Sequence, residues 1–378
     1  MNVKTVPPAA LRLGDPVPGF SAPTVTGGSV ALHVDAGRWV VLAFLGSLAE
    51  PRAAHELAEL LGAAPCFRED HLVFYGILTA PPAPASLEML ASISGPAIAF
   101  VADYDGAITT AYGARAMPRT MILDPLQRAV ADLPWDHPAG HGETVRKLLG
   151  ELPPVDQSAG VPLFAPALIV PRVFDFELCD FLVRLYEAMG GEESGFLLDR
   201  DGKTATVIDH RLKRRRDLPI VDPDLRHAMR EPIVRRLVPA IERFFGFQAT
   251  RMDRCLVSCY DGATGGYFFR HRDNVNAGAE HRRFAVSINL NRDYDGCDII
   301  FPEFGRRSYR APLGGAVVFS CGMLHEVTPI TRGKRYAFVP FLYGEAEAAL
   351  RARNNARLEA GEAHYVEGGD RLYPVAAE

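Results

Sequence analysis

The sequence predicts two domains, an α/β domain followed by an α+β domain. Three observations carry this. The chain has 378 residues, about twice the length of one domain. In its N-terminal part, apolar runs of strand length alternate with a helical pattern. In its C-terminal part, two helical patterns precede a series of short alternating strands.

In the first domain, RWVVLAFLG (38–46), HLVFYGIL (71–78) and TMILD (120–124) are dense in β-branched and aromatic residues and read as strands. Between the first two, PRAAHELAELLGA (51–63) opens with proline and repeats its leucines at helical spacing. The texture changes at GELPPVDQSAGVPLFAP (150–166), a stretch rich in Pro, Gly and small polar residues that reads as a linker. The domains are placed at 1–155 and 156–345, with a charged helix and tail over 346–378. In the second domain, FDFELCDFLVRLYEAM (174–189) and PIVRRLVPAIERFF (232–245) read as amphipathic helices. RCLVSCY, RFAVSINLN, GCDIIFPE, AVVFSCG and RYAFVPFLY then read as strands of a sandwich or small barrel.

Composition narrows the function. With 48% hydrophobic and 23% charged residues the chain has a globular composition, and its net charge of −5 argues against a general nucleic-acid binder. No apolar run is long enough to predict a membrane span, and the first twenty residues have no apolar signal core, so the cytoplasm is the expected location. The six cysteines form no CxxC pair and are expected to be mostly buried thiols.

The residues that carry chemistry lie in the second domain. Two histidines and a carboxylate on one face of a metal leave open positions for a chelating co-substrate and dioxygen. His271 and Asp273 stand two apart, so extended backbone puts both side chains on the same side, and His325 follows 52 residues later. A second HxD triplet, His33–Asp35, has no such third partner and reads as part of a surface strand. Arg335 lies ten residues past His325. A turn at Thr331–Gly333 would make a hairpin with Arg335 opposite residue 328, about 10 Å along the strand from His325. That distance suits a five-carbon diacid held at its far carboxylate by a guanidinium. Lys334 would point the other way. The run Lys213–Arg216 reads as a solvated face, with a substrate-entry patch as the alternative, and Gly262, Gly265 and Gly266 as a turn.

The second domain resembles the prolyl-4-hydroxylase-like iron(II)/2-oxoglutarate dioxygenases across roughly 165–345. The resemblance rests on His271, Asp273, His325 and Arg335 in register, on Tyr260 eleven residues before the first histidine, and on SINLN, FPEFG and GGAVVFSCGMLHEVTPITRGKRY. It implies a double-stranded β-helix (jelly roll), with Fe(II) on His271, Asp273 and His325. It also implies 2-oxoglutarate held by Arg335 and Tyr260, with Ser287 and Asn289 facing the same pocket. O2 is implied as co-substrate and ascorbate as an auxiliary reductant. The collagen-type enzymes usually carry lysine at the position of Arg335.

Residues 10–150 resemble the peroxiredoxins, which implies a thioredoxin-like fold. VVLAFLGSLAEPRAAHEL can be laid over the Pro-x-x-x-Thr-x-x-Cys turn of that family, but Ala53 falls on the peroxidatic position, Glu50 on the threonine and Gly46 on the first proline. Peroxide reduction needs a thiolate there, so this domain is expected to be folded and peroxidase-inactive. Cys66 reads as structural. AMPRT (116–120) resembles the family's proline turn, where a cis peptide is common.

The expected activity is 2-oxoglutarate-dependent hydroxylation of a C–H bond in a prolyl or other amino-acid-like substrate, small molecule or peptide. A thiol-dependent peroxidase and a non-enzymatic adaptor are the alternatives. A homodimer through the N-terminal domain is the expected assembly, with neither nucleic acid nor membrane as partner.

Overall fold

The computed structural model describes residues 11–115, 118–135, 140–200, 202–360, 362, 364–366 and 371–373. The turn around Ala116 and Met117, with the peptide bond preceding Pro118, lies outside them. The chain divides into two compact units, 1–164 and 165–378, with Pro302–Gly305 grouped with the first.

The first unit is built on a five-stranded sheet in the order Ile98–Ala102, Leu72–Leu78, Trp39–Gly46, Arg119–Leu123, Ala129–Pro134. The first three are parallel and the last two antiparallel. Trp39–Gly46 is apolar throughout because both faces are covered. Val41, Ala43 and Leu45 enter one core, and Val40, Leu42 and Phe44 enter the other. The helix Pro51–Leu61 starts on proline and buries Ala53, Glu56, Leu57 and Leu60, one helical stripe. Mixed sheet and helix make this the thioredoxin-like half expected from the sequence.

The second unit holds two antiparallel sheets. The larger runs Leu168–Val170, Ala316–Ser320, Phe284–Asn289, Ile330–Phe338, Leu256–Asp261, Arg216–Pro219, Glu192–Glu193. The smaller runs Lys213–Arg214, Tyr267–His271, His325–Val327, Ile299–Ile300, Ser308–Tyr309. Alternation fixes which side chains face which way. Val257, Cys259, Val286, Ile288, Tyr336 and Phe338 pack with Cys179, Leu182, Met229 and Ile241 of the covering helices. The intervening Tyr260, Ser287 and Arg335 therefore point to the opposite face, where a cavity lies between the two sheets.

Three expectations need correction, while the expectation of mostly buried thiols holds for five of the six cysteines. The second helical pattern starts earlier than residue 232: Pro223–Pro232 leads through a π-helical turn, Ile233–Leu237, into Val238–Phe245, which accommodates the internal prolines. There is no turn at Thr331–Gly333. Ile330–Phe338 is one strand, held over its first residues by Tyr294–Gly296 and further on by Leu256–Asp261. Gly333, at φ +74°, stays within this strand and pairs with Tyr294, and the ladder's irregularity falls at Thr331. His33 lies in a short 3₁₀ turn, Leu32–Asp35, and Asp35 is a structural acid bound by Arg38 and Tyr75. Cys66 is exposed, whereas the other five cysteines are buried and free.

Candidate metal centre and co-substrate pocket

His271 ends one strand of the smaller sheet and lies directly opposite His325 on its antiparallel neighbour, with ring centroids 4.2 Å apart. Two residues on, Asp273 is anchored by its N–H to the carbonyl of Cys321 at 3.0 Å. Its two carboxylate oxygens lie 3.5 Å from His271 Nε2 and 3.4 Å from His325 Nε2. Within this trio, one ligand atom from each residue lies within 4.8 Å of the others, and it is the one such group of His, Cys, Asp or Glu among the described residues.

The second nitrogen of each ring is occupied. Nδ1 of His271 faces the carbonyl of Phe269 at 2.7 Å, and Nδ1 of His325 faces that of Met323 at 3.1 Å. A carbonyl only accepts, so each Nδ1 carries the proton and each Nε2 presents a lone pair toward Asp273. Phe268 stacks on His271 at 3.5 Å and Phe319 meets His325 edge-on at 4.6 Å, fixing both ring planes. Burial, aided by the neighbouring His271, pushes His325 down to about 4, so it is neutral at physiological pH. Burial alone would raise the Asp273 carboxyl, but the two histidines outweigh it and hold it below the usual carboxylate range. Two neutral imidazoles and one carboxylate suit a divalent transition metal with open coordination positions.

Arg335 reaches the same cavity from the larger sheet, paired across the ladder with Tyr260. It is 4% exposed. Its Nε donates to Asn289 Oδ1 (3.1 Å), Nη2 to Ser287 Oγ (2.8 Å) and Asn289 Oδ1 (2.9 Å), and Nη1 to the Cys297 carbonyl (3.2 Å). None of these acceptors is a carboxylate, and Arg335 has no ion-pair partner among the described residues. A buried cation lacking a counterion is costly, and an anionic ligand would offset that cost. Lys334 lies on the other side of the strand, its side chain 43% exposed and paired with Glu187 at 3.3 Å.

Ser287 lines the cavity; Asn289 instead sits behind Arg335, its amide donating to the Ala311 carbonyl at 2.6 Å. Tyr260 lines the cavity 5.8 Å from the guanidinium of both Arg215 and Arg335, and burial raises its hydroxyl above the ordinary tyrosine range. It therefore remains protonated and can donate.

Sequence reasoning missed two lining residues, Arg215 and Arg254, and the partner they share, Asp217. The basic run is not a solvated face: Lys213 is buried and Arg215 is only 6% exposed along its side chain, while Arg214 and Arg216 face solvent. Arg215 Nη2 donates to Asp217 Oδ2 at 2.7 Å. The available signal was the Arg215-x-Asp217 spacing, which puts an acid and a base on one strand face.

Residues 13–130 match the AhpC/TSA family and residues 255–343 the 2OG-Fe(II) oxygenase superfamily. The chain thus joins an AhpC/TSA-type thioredoxin-fold domain to a 2OG-Fe(II) oxygenase domain, a family that implies Fe(II) and 2-oxoglutarate. Among relatives, the PKHD-type hydroxylase PiuC of Pseudomonas aeruginosa is 37% identical over 91 residues, covering 22% of this chain and 39% of that protein. A PKHD-type hydroxylase of Synechococcus sp. is 29% identical over 117 residues, covering 28% and 51%. The chain therefore spans about two fifths to one half of the length of these relatives. Similar solved structures include a viral collagen prolyl hydroxylase from Paramecium Bursaria Chlorella virus-1, with TM-score 0.36, 12% identity and coverage of 47% of this chain and 94% of that one. Peroxidoxin BcpB from Mycobacterium tuberculosis has TM-score 0.33, 19% identity and coverage of 38% and 99%. Among the described residues no helix is long and apolar enough to cross a membrane.

Proposed function

We propose that this protein is an iron(II)/2-oxoglutarate-dependent hydroxylase acting on a C–H bond of a prolyl or other amino-acid-like substrate. One observation carries the reading: two imidazole Nε2 atoms and a carboxylate converge in the same cavity as a buried arginine without a counterion. His271, Asp273 and His325 would hold the metal, and their fixed tautomers mean that neither ring must reorganise to bind it. When bound, the iron supplies oxidation of the substrate by dioxygen, coupled to decarboxylation of 2-oxoglutarate to succinate and carbon dioxide. Arg335, held by Asn289 and the Cys297 carbonyl, would take the distal carboxylate of 2-oxoglutarate. Ser287 and Tyr260 would add hydrogen bonds to it. Phe268, Phe319 and Val327 keep the space between the sheets apolar, which limits water at the reacting centre.

The test is metal content and succinate release, measured together. Wild-type protein should bind one Fe(II) and release succinate from 2-oxoglutarate. His325→Ala should lose the metal and at least 99% of turnover while keeping its circular-dichroism spectrum. Full succinate release by that variant would overturn the assignment. The thiol-peroxidase and adaptor readings have no comparable observation in their favour.

A further inference from the structure

Resting on the hydroxylase reading, we infer that the cavity contains a second anion site, formed by Arg254, and that the substrate carries a carboxylate bound there. Arg254 lines the cavity, yet among the described residues its one ionic contact is with Asp217 Oδ2 at 3.4 Å. That oxygen already accepts from Arg215 Nη2 at 2.7 Å and from Ser194 Oγ. One carboxylate therefore serves two guanidiniums, and Lys213 stands beside them with only Ser194 Oγ and the Gly195 carbonyl as acceptors. The Nε of Arg215 is buried without a partner. Asp217 Oδ1 is likewise buried without a partner among the described residues.

Beyond Asp217 and Arg215, Arg254 has Phe341 as an apolar neighbour, and Arg282 and Asp253 are near enough to act on its charge. Its guanidinium lies 5.8 Å from the ring of Phe341, whose other neighbour is Arg282 at 4.1 Å. Arg282 Nη1 in turn donates to the backbone carbonyl of Asp273 at 3.4 Å. The backbone of Arg254 is held at φ +63°, the left-handed region that disfavours a non-glycine residue.

This site is separate from the one assigned to 2-oxoglutarate. Arg335 is held by Ser287, Asn289 and the Cys297 carbonyl, whereas Arg254 has Asp217 and Phe341 beside it. A planar, partly exposed fork with spare donors beside Val339, Phe341 and Ala285 fits an anion attached to an apolar body, and a carboxylate matches the fork's geometry. A free amino acid and the C-terminus of a peptide both present this chemistry.

The experiment uses full-length protein loaded with Zn(II) and saturated with 2-oxoglutarate, titrated by calorimetry. The probes are L-proline, L-leucine, their N-acetyl derivatives and the carboxamide of each. At least one acid should bind ten or more times more tightly than its carboxamide. A free amino acid as the preferred probe identifies a small-molecule substrate, and an N-acetyl acid identifies a chain terminus. Arg254→Gln should reduce the acid to the affinity of its carboxamide, while Arg254→Lys should retain part of the preference; both should bind 2-oxoglutarate as wild type does. The inference is overturned if no acid binds, if acids and carboxamides bind alike, or if Arg254→Gln keeps the preference. A Zn(II) protein that fails to bind 2-oxoglutarate overturns the hydroxylase reading and this inference together. Saturable 2-oxoglutarate binding without acid preference overturns only the second anion site.

Discussion

Arg335 and Lys334 are adjacent cations whose surroundings give them different consequences. Arg335 is enclosed and without a counterion, whereas Lys334 is half-exposed and paired with Glu187. Losing a charge-assisted contact to a buried partner costs about 3–5 kcal/mol, and each 1.4 kcal/mol is a factor of ten. Arg335→Ala should therefore raise the 2-oxoglutarate concentration needed for half-maximal succinate release by roughly a hundredfold or more. Lys334→Ala should leave it within about threefold, because an exposed ion pair contributes at most about 1 kcal/mol. A large shift in Lys334→Ala alone would show that the wrong residue faces the ligand. Asp217 offers a second residue-scale test. Burial would raise its carboxyl, but Arg215, Lys213 and Arg254 outweigh burial and hold it at about 2. A folded-state value below the unfolded one makes the charged form a source of stability above pH 4, lost as pH falls through the folded value. The stability gap between wild type and Asp217→Asn in denaturant titrations should be constant above about pH 4.5 and narrow toward pH 2. A gap that does not change down to pH 2 would contradict the role given to the buried charge.

At the scale of elements, the strand Ile330–Phe338 decides whether Arg335 reaches the cavity, and Gly333 decides the course of that strand. A Cβ on Gly333 would lie 2.5 Å from the backbone oxygen of Asp293, in addition to the strain of φ +74°. Backbone must move, and it moves two residues from Arg335. Gly333→Ala should lose about 1–3 kcal/mol of stability and also weaken 2-oxoglutarate binding. Gly246→Ala has a similar φ of +62° but no atom within 4 Å of the added carbon, so it should cost stability without touching co-substrate affinity. Chemical denaturation and a 2-oxoglutarate titration on both variants separate the two effects. This strand also shows where sequence reading stopped. The alternation in RYAFVPFLY was sufficient to give its phase and to put Arg335 and Lys334 on opposite sides. Thr331–Gly333 looked like a turn because a bulge close to a glycine inside a strand and a glycine turn between strands share a local signature. The strand that pairs there, Tyr294–Gly296, lies nearly forty residues away and leaves no trace in the local pattern. Lys213 and Arg215 were missed for a related reason, since a run of four cations does not itself say which members turn inward, and the Arg215-x-Asp217 spacing was the one local sign of it; inside the fold they meet Asp217, Ser194 and Phe268. His271, Asp273 and His325 were legible because a metal site requires a fixed set of residue types at a fixed spacing. Arg254 has no spacing requirement and could be found only from the cavity.

At the scale of the whole molecule, two units of different ancestry share one chain, and only one of them presents a reactive constellation among the described residues. The first unit carries a five-stranded sheet, and the start of the helix Pro51–Leu61 is the stretch that lies over the nucleophile turn of the peroxiredoxins in sequence. Ala53 occupies its first turn, 4% exposed and packed inward, beside the equally buried Glu56. A thiolate at a helix N-terminus is stabilised by the backbone N–H groups and by the dipole; a methyl group gains nothing from either. Cys66 is the one exposed thiol and lies beyond the end of that helix, in a 3₁₀ turn, Ala64–Cys66, where it does not inherit the same field. The two chemistries should accordingly separate by inhibitor in the intact protein. Hydrogen peroxide with a thiol reductant should be consumed no faster than in a blank, before and after alkylation of Cys66. Succinate release from 2-oxoglutarate should survive that alkylation and be abolished by an iron chelator. Peroxide turnover that is saturable and sensitive to alkylation would show that another cysteine has taken over the nucleophile's role, and the first unit would then have to be described as an enzyme in its own right.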